Sequence, residues 1–285
     1  DLSPAAAIAI SVASLALGWI VYDLLCRSPL RERSAILFGV LFVFIVFSAY
    51  GFGLVFSDRA AFLHVGAMIA TMMSANVFLV IIPNQKRVVT ALTIGETPDP
   101  AMGKAAKLRS THNNYLTLSV LFMMISIHYP VVFGHDWSWL VVALVVVLGG
   151  VVREFFNARN AGRTGNALLW QWPIAIILAV ALIILTAWKP DGDIPLEGKV
   201  LTPEALAIVQ VRCTPCHSAR PSDEDVDVAP GGIKFDDAAM LKAHAAKVLA
   251  QSVLTDAMPI GNKTEMTAEE RAQLGTWIRA GMPDE

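Results

Sequence analysis

Charge is scarce in this chain. Only 16% of its 285 residues are Asp, Glu, Lys or Arg, 55% are hydrophobic, and the mean hydropathy is +0.56. A composition so poor in charge excludes a fully solvated globule and places the chain among membrane proteins, with room for a smaller polar domain. Cysteine is scarce as well. Of three residues, Cys213 and Cys216 stand close together and Cys26 is alone, which excludes a disulfide framework and reads Cys26 as a plain buried or interfacial thiol. The basic residues flank apolar runs instead of interleaving on one domain face, so nothing points to nucleic acid. The chain begins at Asp1, with no basic n-region or A-x-A site before its first apolar run. The expectation is a processed or trimmed chain with further membrane helices upstream.

What is present is a series of apolar runs near the ~20 residues a membrane helix needs. Six are expected to span: Pro4–Tyr22, Ala35–Phe56, Phe62–Ile82, Tyr115–Phe133, Trp137–Val152 and Ala167–Trp188. The loops after the first, third and fifth carry 11 Lys and Arg, including Arg27, Arg31, Lys86, Arg87, Lys104 and Lys107, against Arg59 alone in the two opposite short loops. By the excess of positive charge on the cytoplasmic side, the N-terminus and everything after the sixth span lie outside, in a periplasm-like compartment of a bacterial inner membrane. Charge divides at the same place. Up to Lys199 there are 14 Lys and Arg against 11 Asp and Glu; from Val200 onward there are 8 against 13. The organisation read from this is an all-α chain. Residues 1–190 form a transmembrane bundle, 191–201 a linker rich in Pro, Gly and charge, and 202–285 a separate domain.

That last segment carries Cys213-Thr214-Pro215-Cys216-His217. Cys-x-x-Cys-His is the attachment sequence of a c-type haem: two thiols two residues apart bond the vinyl groups and the adjacent His reaches the iron. A helix capped by Thr202, with Pro203 at its first position, is expected to deliver it. A middle helix over Asp236–Ser252 and a last helix opening on the capping box Thr267-Ala268-Glu269-Glu270 complete the arrangement of a small class I cytochrome c domain. The sixth iron ligand is placed at Met258, 41 residues beyond His217 in a loop before the last helix, with Met266, Met240 and His244 as competitors. Thioether ligation raises the potential and suits a high-potential acceptor downstream.

Ionisable groups inside a membrane are costly and point to function. His64 and His128 fall near the outer ends of spans three and four, where they could hold a metal or a haem b, act on a substrate, or simply bond the backbone. A second cluster lies on the cytoplasmic side: Asn84 and Gln85 at the end of span three, and Arg109, His112, Asn113 and Asn114 before span four. Amides, a His and an Arg near a helix N-terminus suit a planar anion rich in heteroatoms, although capping and loop charge would use the same residues. Asn76, in mid-span, reads as a link between helices.

The runs His64-Val65-Gly66-Ala67-Met68, Ala75-Asn76-Val77-Phe78, Ile81-Ile82-Pro83-Asn84-Gln85-Lys86, Thr97-Pro98-Asp99-Pro100-Ala101-Met102-Gly103-Lys104 and His112-Asn113-Asn114-Tyr115-Leu116-Thr117 resemble the membrane-bound bacterial urate oxidase family. Its members are integral membrane proteins fused to a C-terminal cytochrome c, and Ala257-Met258-Pro259-Ile260-Gly261-Asn262 resembles that haem domain. The resemblance implies oxidation of urate to 5-hydroxyisourate in purine catabolism. Electrons would pass through the covalent c-type haem to a soluble or membrane cytochrome c or a terminal oxidase, without making hydrogen peroxide. It makes His64, His112 and His128 the candidate catalytic residues, with His112 or His64 as general base. Asn84, Gln85, Arg109, Asn113 and Asn114 are the candidate urate ligands, and Cys213, Cys216, His217 and Met258 hold the haem.

One constraint follows from a hydrocarbon core ~30 Å thick. Urate in the cytoplasmic cluster lies too far from an outer haem for one fast electron step. Either urate binds near His64 and His128, or an intramembrane carrier such as a haem b or another metal bridges the gap. Two other functions compete: a non-catalytic, membrane-anchored cytochrome c subunit of a respiratory complex, and a quinol-oxidising di-haem cytochrome. Reduction of the haem by urate separates the first reading from both.

Overall fold

The computed structural model describes residues 3–134, 137–187 and 199–285, and among these the fold is helical throughout, with no strand. The chain divides into two compact units, Asp1–His128 with Asp136–Thr186, and Tyr129–His135 with Ala187–Glu285.

The first unit is a helix bundle. Helix α1 (Pro4–Arg27) is capped by the Ser3 hydroxyl, which accepts from the Ala6 N–H, and α2 (Ser34–Gly53) carries no charge. Next come α3 (Asp58–Ala75), a π-helical turn (Asn76–Ile81) and α4 (Ile82–Thr93), which run on as one 36-residue apolar stretch. At 1.5 Å per residue this is about 54 Å long, well beyond the ~30 Å of hydrocarbon. α5 (Pro100–Ser126) opens on an Asp99 cap with Pro100 at its first position. After α6 (Pro130–Phe133) of the second unit, α7 (Ser138–Asn160), α8 (Asn166–Leu169) and α9 (Gln171–Ala187) complete the first.

By length and composition, α1, α2, the α3–α4 stretch and α7 can each cross a membrane, whereas α9 is apolar but only 17 residues long. Among the described residues, four helices thus meet a criterion that six runs were expected to meet. The fourth expected run, Tyr115–Phe133, is displaced. Its helix begins at Pro100 and stops at Ser126, because Pro130 disfavours helical geometry at the residue before it, and Tyr129 is extended. His128 therefore lies beyond the helix end. Within the sixth run, α8 and α9 meet at Trp170; Trp188 and the expected linker up to residue 198 lie outside the described residues.

The bundle core is built by one face of each helix: Leu37, Leu41 and Ile45 of α2, Val65, Ile69 and Met72 of α3, Leu116 and Met123 of α5, and Val141 and Val145 of α7. These recur at the three- and four-residue spacing of a helix face. The outward faces stay apolar as well, with Ile8, Val12, Leu17, Val43 and Phe47 exposed, which suits contact with lipid. α5 packs on α3, α4 and α7. A Cβ at Gly149 of α7 would lie 2.8 Å from the Ser119 Oγ of α5, so only glycine allows these two helices to come so close.

The second unit contains α10 (Thr202–Arg212), α11 (Ala238–Ala243), α12 (Ala245–Val248), a π turn (Leu249–Val253) and α13 (Ala268–Arg279). Its core joins Ala205, Val209, Phe235, Leu241, Val248, Met266, Leu274 and Trp277. Thr267 and Glu270 form the expected capping box. Thr202 is not the cap of α10. Leu201 occupies that position, its N–H bonding the Glu204 carboxylate at 2.9 Å, while the Thr202 hydroxyl accepts from Trp277 Nε1 at 3.1 Å. The single middle helix expected over Asp236–Ser252 is instead two short helices that meet at His244.

Candidate functional site

The bundle buries a polar network where α1, α3 and α5 meet. Asp23 accepts from Arg109 Nη2 at 2.6 Å and also pairs with Arg27 at 2.7 Å. Arg109 is 3% exposed, lies 4.9 Å from the centroid of the Tyr22 ring and 5.6 Å from that of Trp19, and donates through Nη1 to Asn76 Oδ1 at 3.3 Å. That bond orients the Asn76 amide, whose nitrogen donates to Tyr22 Oη at 2.9 Å and to Asn113 Oδ1 at 2.7 Å. Asn113 in turn donates to the Met73 carbonyl. Tyr22 Oη lies 3.0 Å from His112 Nδ1, and Cys26 Sγ lies 3.8 Å from the same nitrogen. Asn76 opens the π-helical turn, a departure from α-helical pairing that often marks functional sites.

One wall of this network faces a cavity of about 1290 Å³. Arg109, His112, Phe38, Tyr115 and Cys26 line it, with Asn84 at one side and Arg27, Arg31, Arg87, Lys104 and Lys107 around it. Glu32 is the one acid in the lining, and Arg31 pairs with it at 3.3 Å. The cavity is therefore strongly cationic and carries two aromatic rings. A neighbouring cavity of about 620 Å³ is lined by Asn84, Gln85, Ser110, Thr111, Asn114 and Asn157. Asn114 Oδ1 there accepts from Arg153 Nε at 3.2 Å and Asn157 Nδ2 at 3.0 Å.

The residues singled out in the sequence thus separate. Arg109, His112 and Asn113 come together in the network, Asn84 borders both cavities, and Gln85 and Asn114 belong to the smaller one. His64 stands apart. Its Nδ1 donates to the Ala60 carbonyl at 2.7 Å, its Nε2 meets Ser11 Oγ at 2.8 Å, and its ring stacks on Phe56 at 4.3 Å. Among the described residues no hydrogen bond or ring contact joins His64 to His128. Trp19, Tyr22 and Asp23 join the network without having been expected there, and Cys26, expected as a plain buried or interfacial thiol, lies in it too. A tyrosine and an acid one helical turn before the first basic loop were the available signal.

In the second unit, Cys213 caps the C-terminus of α10, and the N–H groups of Cys216 and His217 bond back to the Cys213 carbonyl at 3.2 and 2.8 Å. This turn brings two free thiols and an imidazole together. Burial pushes the Cys213 thiol up to about 11. His217 Nδ1 donates to the Ile233 carbonyl at 3.0 Å, which leaves the Nε2 lone pair for a metal. Met258 is half-buried and held through its backbone, N–H to Gln251 and carbonyl to Arg271 Nη1 at 2.8 Å. Met266 is buried in the core. Two free thiols and a fixed imidazole tautomer are the donors a covalent c-type haem would use at this turn. Among the described residues, no group of three or more His, Cys, Asp and Glu converges as a metal site.

A helical bundle with membrane-length apolar helices and a buried charged network beside a cationic cavity has the build of a membrane protein. Residues 1–187 match the model of the urate oxidase N-terminal family, and the chain belongs to that family. No curated protein and no solved structure gives a significant match.

Proposed function

We propose that this chain is a membrane-bound urate oxidase that binds urate in the cavity walled by Arg109 and His112. The family supports urate as the substrate. The observation that carries the location is the cavity itself: a cationic mouth, two aromatic rings and a buried imidazole together suit a planar monoanion. Urate and one water become 5-hydroxyisourate, releasing two electrons and two protons. The five rim cations concentrate the anion, Phe38 and Tyr115 supply apolar faces for its ring, and His112 offers a directed polar contact.

In this reading Cys213 and Cys216 would carry the thioether bonds of a c-type haem, and His217 and Met258 would hold its iron. When bound, that haem supplies a one-electron acceptor able to pass electrons to a cytochrome or terminal oxidase without making peroxide. The proposal takes α5 and α9 as spans as well. It places the rim cations on the cytoplasmic side and the second unit on the periplasmic side of the inner membrane. It assigns no intramembrane haem to His64, because both of its ring nitrogens are already bonded.

Equilibrium dialysis of urate against the detergent-solubilised chain tests the location. His112→Ala is expected to lose binding and His64→Ala to keep it. The reverse pattern would move the site to the other end of the bundle.

A further inference from the structure

The hydrogen bonds around His112 start from a donor-only group, and their direction bears on what the site can recognise. Arg109 can only donate, so Asn76 must present its oxygen to Arg109 and its nitrogen to Tyr22. Tyr22 Oη thus receives a donor, and of the two acceptors near its own O–H, His112 Nδ1 at 3.0 Å and the Cys26 sulfur, the imidazole nitrogen is the stronger. The second neighbour of Nδ1, the Cys26 thiol, is also a donor. Donors on both sides would make Nδ1 an acceptor and put the ring proton of neutral His112 on Nε2. His112 is 2% exposed and lies on the cavity wall, and among the described residues Nε2 has no hydrogen-bond partner. A buried N–H without a partner calls for one from a ligand or water.

We infer that Tyr22 is a positioning residue that locks His112 in the Nε2–H tautomer, so that His112 serves the site as a hydrogen-bond donor and not as a proton acceptor. This rests on the urate-oxidase reading of the cavity and narrows it. The bound purine must turn a carbonyl oxygen or a deprotonated ring nitrogen toward His112, and a purine that places an N–H there is rejected, because two donors would meet in a buried site. Asp23 and Asn76 act one step further back, the first by holding Arg109 and the second by passing its direction to Tyr22.

The test begins without substrate. In the full-length protein with ¹⁵N-labelled histidine, the His112 signals, assigned by their loss in His112→Gln, are expected to show a protonated Nε2 and an unprotonated Nδ1. A protonated Nδ1 overturns the inference, whether or not urate binds, and needs no variant to fold beyond the one used for assignment. In Tyr22→Phe the two tautomers are expected to mix and KM for urate to rise roughly tenfold, the scale of one directed hydrogen bond, with kcat changed far less. An unchanged tautomer and unchanged KM in Tyr22→Phe contradict it. His112→Gln keeps a donor but cannot act as a base, so retained turnover supports the inference and loss of kcat with binding intact opposes it. If the unsubstituted protein does not bind urate, the parent reading fails while the nitrogen spectrum still decides the tautomer.

Discussion

Arg109 and Asp23 show at the scale of single residues how this bundle tolerates charge. Their side chains are 4% and 14% exposed and 2.6 Å apart. A buried pair of this kind gains little over an apolar pair, but losing one partner leaves the other stranded. Asp23 keeps a second partner in Arg27, so Arg109→Met is expected to cost about 3 kcal/mol, near the low end for such losses. Asp23→Leu added to Arg109→Met should restore most of that stability while urate binding stays lost. Unfolding of the four proteins of this cycle in detergent is the measurement, and simply additive losses would show that the pair is not coupled. Much of this site could be read from the sequence, and part could not. Arg109, His112 and Asn113 stand out as polar groups leading into an apolar run. Tyr22, Asp23 and Cys26 do not, since a tyrosine, an acid and a thiol at the end of a span look interfacial. Only packing of α1 against α3, with α5 alongside, brings Tyr22 to a histidine 90 positions away.

The elements show the same division between local and long-range information. Caps were legible in part: the Thr267 box opens α13, but Leu201 and not Thr202 caps α10, and hydropathy carried the expected span past Pro130 to Phe133 although α5 stops at Ser126. The π-helical turn at Asn76 was not legible, because no local residue demands it. Its asparagine is held by partners on α1 and α5. The α5–α7 contact depends on a missing side chain. Gly149→Leu would force a Cβ into Ser119 and should destabilise the bundle by about 1–3 kcal/mol, as overpacking does. Gly150→Ala next to it meets nothing within 4 Å and should be neutral or slightly stabilising. Detergent unfolding of the two variants checks this, and equal losses would place the close contact elsewhere.

For the whole molecule the account joins a urate site in the bundle to a haem-binding turn in the second unit. In the proposed topology, with the cavity on the cytoplasmic side and the haem outside, electrons would need an intermediate carrier across ~30 Å of hydrocarbon. The division of labour was visible in composition, with a net positive apolar part and a net negative polar part. The position of the substrate was not, since histidines stand at both ends; the proposal sets His64 aside because both of its ring nitrogens are hydrogen-bonded. The central claim is that urate delivers electrons to the Cys213–Cys216 haem. It is tested most directly by anaerobic visible spectra of the full-length protein before and after urate. The account predicts growth of the reduced c-type α-band on adding urate, with a b-type band beside it if the carrier is a second haem. A protein whose c-type band appears with dithionite but not with urate would contradict it.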